Sequence, residues 1–323
     1  MTGPLETPLG PGVEFDRIRA LAAAWGQRAR GLGDDCAFLE AGGERLALSV
    51  DLSVEGVHFR REWLAPAEIG YRAAAAALSD LAAVAAEPLA LLLAVGLPAG
   101  EPEATLAAIG AGVADAAADA GATIVGGDTS RAPGIVIDCC VVGRAAAPVF
   151  RRGARPGDVV VVTGALGGPL AALLEWRAGR PPPPAARERF ARPAARHGAA
   201  RFLAAHRAHA MIDVSDGLAG DLGHLLAASG VGATLAVDRL PVLPAAAKVA
   251  ARAGEPPWRL AARSGEEYEL LAAVPPDAAV TVVAECPVPV TVIGVIDAEP
   301  GLRATERGAA VSLPGGFDHF GTA

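Results

Sequence analysis

The sequence predicts an α/β (α+β) protein with two domains. Strand-like runs rich in β-branched residues alternate with helix-like runs along most of the chain. The chain has 323 residues, of which 52% are hydrophobic and 20% charged, and this is enough for two ordinary domains. The basic, turn-rich segment VFRRGARPGDVV at 149–160 separates two apolar strands. We therefore expect an N-terminal domain over residues 1–150 and a C-terminal domain over 151–323.

The predicted elements lie on both sides of this junction. Strands are expected at 45–52, 90–97, 122–126, 134–143, 158–163, 210–214, 233–237, 269–274 and 289–296. Helices are expected at 14–25, 67–86, 102–120, 168–178, 194–206, 217–229 and 244–253. The Pro-rich stretch RAGRPPPPAARERF at 177–190 predicts an exposed loop that interrupts the second domain.

Charge and hydropathy exclude several classes of partner. A formal net charge of −8 argues against a nucleic-acid binder, although metal ions could still connect acidic residues to phosphate. The uninterrupted apolar run LALLLAVGL at 89–97 is too short to span a bilayer. The start MTGPLETPLG lacks the basic and apolar parts of a secretory signal. We expect a cytoplasmic protein with no membrane partner.

The four cysteines predict reduced thiols and no zinc site. They form no C-x-x-C pair, and two of them are adjacent in an apolar run. They are Cys36, Cys139, Cys140 and Cys286.

Several aspartates stand beside small or apolar residues, at predicted turns, strand ends and inside one helix. Asp35 and its neighbour Asp34 follow a Gly-x-Gly turn in GLGDDCAF, and Asp80 interrupts an alanine-rich helix. An unpaired carboxylate in apolar surroundings costs several kcal/mol, and oxygen-rich clusters suit Mg²⁺. We expect a multi-magnesium site that holds a polyphosphate, formed by Asp35, Asp51, Asp80, Asp128, Asp213 and Asp216.

Each acid alone also has a purely structural explanation. Asp34 and Asp35 suit a plain turn, Asp128 suits a turn after two glycines, and Asp216 suits a helix N-cap. Asp80 is the hardest to explain in this way, because aspartate is a poor residue inside a helix. The pattern as a whole therefore carries the prediction.

Other polar residues are expected to be structural. Asp221 is expected on the surface, and His206 and His209 on a solvated helix face. The Gly-rich turn TGALGGPL at 163–170 could offer N–H groups to an anion, but a structural turn is favoured.

The order of the motifs resembles the thiamine-monophosphate kinase family, within the superfamily of aminoimidazole ribonucleotide synthetase. The motifs run over nearly the whole chain: GLGDDCAF, SVDLSVEGVHF, ALSDLAAV, IVGGDTS, IDVSDGLAGDLGH, SGEEYELL and GGFDHF. GVHF and GEEYEL discriminate best, since the acidic turns alone would fit the whole superfamily.

The resemblance implies a two-domain fold of the aminoimidazole ribonucleotide synthetase type. Its N-terminal mixed sheet would form the interface of a homodimer, and its C-terminal α/β domain would complete the ATP and substrate sites. The activity would be ATP-dependent phosphorylation of thiamine monophosphate to thiamine diphosphate, with several Mg²⁺ ions.

The resemblance also implies site residues. The magnesium ligands would be Asp35, Ser49, Asp51, Asp80, Asp128, Asp213 and Asp216. ATP would contact Gly127, Asp128, Arg151 and Ser215, and thiamine monophosphate would contact His58, Glu266 and Phe317. Val50 stands where the family usually has Thr, and Glu267 where it usually has Asp.

The acceptor chemistry predicts direct in-line transfer without a general base. The second pKa of a phosphate monoester is about 6, so the attacking oxygen is already ionised at neutral pH. Metal ions and Arg151 would offset the repulsion between the two phosphates. One alternative is another ATP-using member of the superfamily. The other is a non-catalytic nucleotide-binding homologue, an interpretation that the loss of a hydroxyl at Val50 favours.

Overall fold

The computed structural model describes residues 5–320. Its strands are β1 (Ala37–Ala41), β2 (Glu44–Val54), β3 (Glu87–Leu97), β4 (Thr123–Arg131), β5 (Val136–Arg144), β6 (Val159–Thr163), β7 (Ala210–Asp213), β8 (Gly232–Ala236), β9 (Leu270–Val274), β10 (Val290–Asp297), β11 (Gly301–Glu306) and β12 (Ala309–Ala310). Its α-helices are α1 (Val13–Trp25), α2 (Pro66–Ala83), α3 (Glu103–Ala120), α4 (Gly168–Arg177), α5 (Pro184–Ala191), α6 (His197–Ala205), α7 (Leu218–Ser229), α8 (Pro244–Ala253), α9 (Pro257–Ala262) and α10 (Pro276–Glu285).

Within residues 5–320 the strands form two mixed sheets. The N-terminal sheet has the order β1-β2-β5-β3-β4, and the C-terminal sheet has the order β12-β11-β8-β10-β6-β9-β7. Only β3 and β4 run parallel in the first sheet, and β8 and β11 in the second. The α/β (α+β) class expected from the sequence is confirmed.

The alanine-rich helices α2 and α3 pack closely because glycine and alanine occupy their contact. A Cβ on Gly112 would lie 1.8 Å from the Ala67 carbonyl oxygen, and one on Gly70 would lie 2.0 Å from that of Ile109. Fourteen residues of α2 are buried. This helix therefore forms the rigid centre of the N-terminal half, and it presents Asp80 near its C-terminal end.

The opposite face of the N-terminal sheet is exposed and apolar. Strand residues alternate between the two faces of a sheet, so one face of β2 turns towards the core and the other away from it. The exposed large side chains that the strand register places on this outer face are Leu39, Val50, Leu52 and Leu92, and Val50 is 60% exposed.

The expectation of an exposed loop at 177–190 is met by the mostly exposed connection at 178–183 and is wrong for the residues that follow. Residues 184–191 form α5, with prolines at its N-cap and first position, where the missing N–H costs nothing. Phe190 is fully buried against the stacked rings of Trp63 and Trp176. The short elements β1, β11, β12, α9 and α10 were also not predicted.

The described residues contain no helix that is long and apolar enough to cross a membrane. The four cysteines are free thiols; Cys36 and Cys139 are buried, and the other two are half-buried.

Candidate active site

Three aspartates that are distant in sequence meet between the two sheets. Asp35 precedes β1, Asp80 lies in the last turn of α2, and Asp213 ends β7. One carboxylate oxygen from each lies within 4.8 Å of the others. We call these residues the acid trio. Ser49 donates a hydrogen bond to Asp80, and Ser79 donates one to Asp213, each at 2.5 Å.

The surroundings of Asp80 and Asp213 disfavour their negative charges. Burial and then the charge of Asp35 raise the pKa of Asp213 from 3.8 to about 7. Burial and then the charges of Asp213 and Asp51 raise the pKa of Asp80 well above its usual value. The all-oxygen donor set and this excess of negative charge fit a hard divalent cation such as Mg²⁺.

Arg151 ties the turn at 34–35 to the start of the C-terminal half. Its Nε and Nη2 donate to the two carboxylate oxygens of Asp35, at 3.1 and 2.6 Å. Its backbone N–H donates to Asp34 Oδ1 at 3.2 Å. The two adjacent acids of the turn are therefore partly balanced by one arginine, which lies beside the acid trio.

A cavity of about 580 Å³ opens next to the acid trio. Many of the residues expected from the sequence line it: Asp51, His58, Asp80, Asp213, Ser215, Asp216, Glu266 and Phe317. Burial and then the charge of Glu266 raise the pKa of Asp51 to about 6. Burial and then the charge of Glu14 raise the pKa of Asp216 to about 6. The cavity therefore has a strongly acidic end.

The turn MIDVSDG is held by Asp221, which we expected on the surface. Asp221 is buried, and its Oδ2 accepts hydrogen bonds from the backbone N–H groups of Ser215, Asp216 and Gly217, at 3.1, 3.2 and 3.0 Å. The N-cap of α7 is Gly217, so Asp216 is not the cap. Its side chain borders the cavity instead.

Gly127 and Asp128 lie apart from the acid trio in this chain. Gly127 lies in the same row across the sheet as Leu93, Cys139 and Asp51, and it is three strands away from Asp51. Asp128 occupies the next row, so its side chain points to the opposite, exposed face of the sheet. Sequence reasoning could not see this, because it depends on strand order and register.

Aromatic rings line one part of the cavity. His58 lies 5.1 Å from His319, and His319 lies 4.9 Å from Phe317, measured between ring centroids. The Nδ1 of His58 accepts the Val54 N–H at 3.1 Å, and burial lowers the pKa of this histidine below 6.5. The Phe317 N–H donates to the Asp216 carbonyl at 2.7 Å, which holds the C-terminal segment beside the acidic turn.

The departures from the family pattern lie outside the acid trio. Glu267 is buried, and its Oε1 accepts the N–H of Gly167 in the turn TGALGG at 2.5 Å. Burial raises the pKa of Glu267 to about 7. Val50 lies at the cavity edge and on the exposed sheet face. Gly167 therefore uses its N–H internally, as expected of a structural turn.

Basic residues also line the cavity, and sequence reasoning missed them. They are Arg60, Arg72, Arg177 and Arg263. For Arg72 a signal existed, because it is a charged residue directly before the alanine run 73–77 and eight residues before Asp80. The other three lie in loops or at the end of α4, and only the fold brings them to the cavity.

Comparison with known proteins identifies the family. The family described as AIR synthase related protein matches through its N-terminal domain over residues 33–145 and its C-terminal domain over 155–306. The chain is 35% identical to thiamine-monophosphate kinase of Rhodopirellula baltica, over 91% of this chain and 92% of the relative. It is 36% identical to that of Salmonella typhimurium, over 95% and 96%.

Solved structures agree with these relatives. The structure of AaThiL complexed with AMPPCP and TMP superposes with a TM-score of 0.85 at 30% identity, over 96% of this chain and 97% of that one. The chain therefore belongs to the thiamine-monophosphate kinase family, among the AIR synthase related proteins.

Proposed function

We propose that this protein is an enzyme that transfers a phosphoryl group from ATP to thiamine monophosphate, giving thiamine diphosphate. Relatives that carry this kinase name share 35–36% identity over more than 90% of the chain. The observation that carries the proposal is the acid trio at one end of the 580 Å³ cavity, with Glu266, His58 and Phe317 around the same cavity.

The proposal includes several Mg²⁺ ions. Asp35, Asp80 and Asp213 would hold one ion, with Asp51 and Asp216 bordering the same space and Ser49 hydrogen-bonded to Asp80. When bound, Mg²⁺ supplies positive charge that offsets the repulsion between two phosphate groups.

The residues of the chain need only orient the acceptor and donor. A phosphate monoester is already ionised at neutral pH, so no general base is required for direct in-line transfer. Because the Val54 N–H donates to its Nδ1, neutral His58 carries its proton on Nε2, and this N–H can donate a hydrogen bond to an oxygen of the acceptor phosphate. Arg151, beside the trio, would contact the nucleotide phosphates together with Ser215. Glu266 and Phe317 would hold the thiamine part.

The proposed nucleotide and metal roles of Gly127 and Asp128 depend on a homodimer. Asp128 points away from the acid trio, onto the same outer face as Leu52 and Leu92. Burial of that apolar face in a dimer, formed by the proposed domain 1–150, would place Asp128 at a subunit boundary. A Leu92→Asp substitution on this face should then shift the sedimentation coefficient to that of a monomer, whereas an unchanged coefficient would argue against this interface. The cytoplasmic location remains a prediction.

The decisive assay is turnover of purified protein with ATP, Mg²⁺ and thiamine monophosphate, followed by chromatography of the products. We expect ADP and thiamine diphosphate in equal amounts. ATP binding without turnover would favour the non-catalytic alternative. Turnover only with a substrate whose amide oxygen is activated by ATP would favour another superfamily member.

A further inference from the structure

Arg72 lies on the same stripe of α2 as the acid trio's Asp80. Arg72, Ala76 and Asp80 are spaced by four residues, and all three line the cavity. Eight residues of helix separate Arg72 from Asp80 by about 12 Å. The helix therefore presents an acid at one end of the cavity and a cation further along its wall.

The guanidinium of Arg72 is buried between the two halves of the chain. Its side chain is 3% exposed, and its Nη1 donates to the Phe190 carbonyl at 2.5 Å. The guanidinium carbon lies 3.8 Å from the Phe190 ring centroid. Its Nη2 forms an ion pair with the Glu266 carboxylate, with no aligned hydrogen bond to any described residue.

Glu266 has an unusual backbone that needs support. Its φ of +57° is uncommon for a residue with a side chain, and Tyr268 nearby has φ +52°. The Glu266 N–H donates to the Ser215 carbonyl at 2.6 Å, which fixes the main chain. The carboxylate is 25% exposed and faces the cavity, and its ion-pair partner is Arg72. Strained residues of this kind persist where their surroundings hold them, and they are common at ligand sites.

We propose that Arg72 is a positioning residue that holds the Glu266 carboxylate in place for the thiamine part of the acceptor. Its loss would leave Glu266 without its cation and free to leave the cavity wall. This inference rests on the proposed function. It predicts that Arg72 sets the affinity for thiamine monophosphate and has little effect on ATP.

The test measures KM for both substrates and kcat in wild type, Arg72→Gln and Arg72→Lys. Arg72→Gln should raise KM for thiamine monophosphate about tenfold or more, with KM for ATP within about twofold. Arg72→Lys keeps the charge but not the planar fork, so its KM should be intermediate. If Arg72→Gln does not fold, the test uses Arg72→Lys, in which KM for thiamine monophosphate should rise while KM for ATP does not.

Arg192→Gln provides the matched control. The Arg192 guanidinium carbon lies 3.8 Å from the ring centroid of Tyr71, so Arg192 also stacks on an aromatic ring at the same distance, but it does not line the cavity. This variant should leave both KM values unchanged. The double variant Arg72→Gln/Glu266→Gln should resemble Glu266→Gln alone, because Arg72 acts through Glu266.

Three results would overturn the inference. Equal changes in both KM values would show a general structural role, and additive effects in the double variant would show that Arg72 acts independently of Glu266. An unchanged KM for thiamine monophosphate in an active Arg72→Gln enzyme would also overturn it, with the proposed function intact. Absence of turnover by wild type would instead overturn the proposed function, and this inference with it.

Discussion

Replacement of Asp80 by asparagine should abolish turnover and stabilise the metal-free fold. Carboxylate oxygens of Asp80, Asp35 and Asp213 lie within 4.8 Å of one another. At that separation, with an effective dielectric constant of about 20, each pair of charges repels by about 3 kcal/mol. Because the pKa of Asp213 is raised to about 7, its partial protonation relieves some of this repulsion at neutral pH. We therefore expect a gain of about 1–3 kcal/mol at pH 8 without divalent ions.

The measurement pairs thermal unfolding in EDTA with turnover at saturating Mg²⁺. Asp80→Asn should unfold a few degrees higher than wild type in EDTA. Its kcat should fall about a hundredfold or more, because a ligand of the proposed metal site is lost.

Asp115→Asn, on the exposed side of α3, is the matched control. Its side chain is 63% exposed, so both stability and turnover should stay near wild type. Near-normal turnover of Asp80→Asn, or its destabilisation in EDTA, would refute the reasoning.

Three further predictions concern single residues. In EDTA, the stability of Asp213→Asn relative to wild type should increase as the pH rises from about 4 to 7. The reason is that the pKa of Asp213, raised from 3.8 to about 7, makes its ionisation unfavourable in the folded chain. Unfolding at several pH values measures this, and a stability difference that does not change with pH would contradict it. Phe317→Ala should raise KM for thiamine monophosphate about threefold to thirtyfold through lost stacking on the thiazolium; an effect confined to ATP would contradict the assignment. Glu267→Asp should lose the hydrogen bond to the Gly167 N–H and about 1–3 kcal/mol of stability, measured by urea unfolding. Unchanged stability would show that the shorter side chain still accepts this hydrogen bond.

The sequence was most informative where local pattern and chemistry agree. The long helix α2 and the strands β2, β5 and β6 were recognisable from periodicity and β-branched residues. Asp80 was recognisable as unusual, because a carboxylate in an alanine-rich helix needs a partner. It meets Asp35 and Asp213, so three of the six aspartates expected to cluster do so, and the metal role of this cluster stays a prediction.

The sequence was least informative where contacts between residues distant in sequence determine the structure. The stretch 177–190 appeared to be a loop, since proline dominates it, but tertiary packing of Phe190 stabilises a helix there. Asp221 appeared to be a surface acid, and only the fold shows that it accepts three N–H groups. The positions of Asp128 and Arg72 depend on sheet register and on the joining of the two halves, which local pattern does not contain.

The most direct test of the shared metal site is a crystal structure with Mn²⁺ and a non-hydrolysable ATP analogue, using anomalous scattering to locate the ions. We predict an anomalous peak within coordination distance of carboxylate oxygens from Asp35, Asp80 and Asp213, with nucleotide phosphate oxygens completing its ligands. Nucleotide bound in the cavity with no peak at the acid trio would contradict the account.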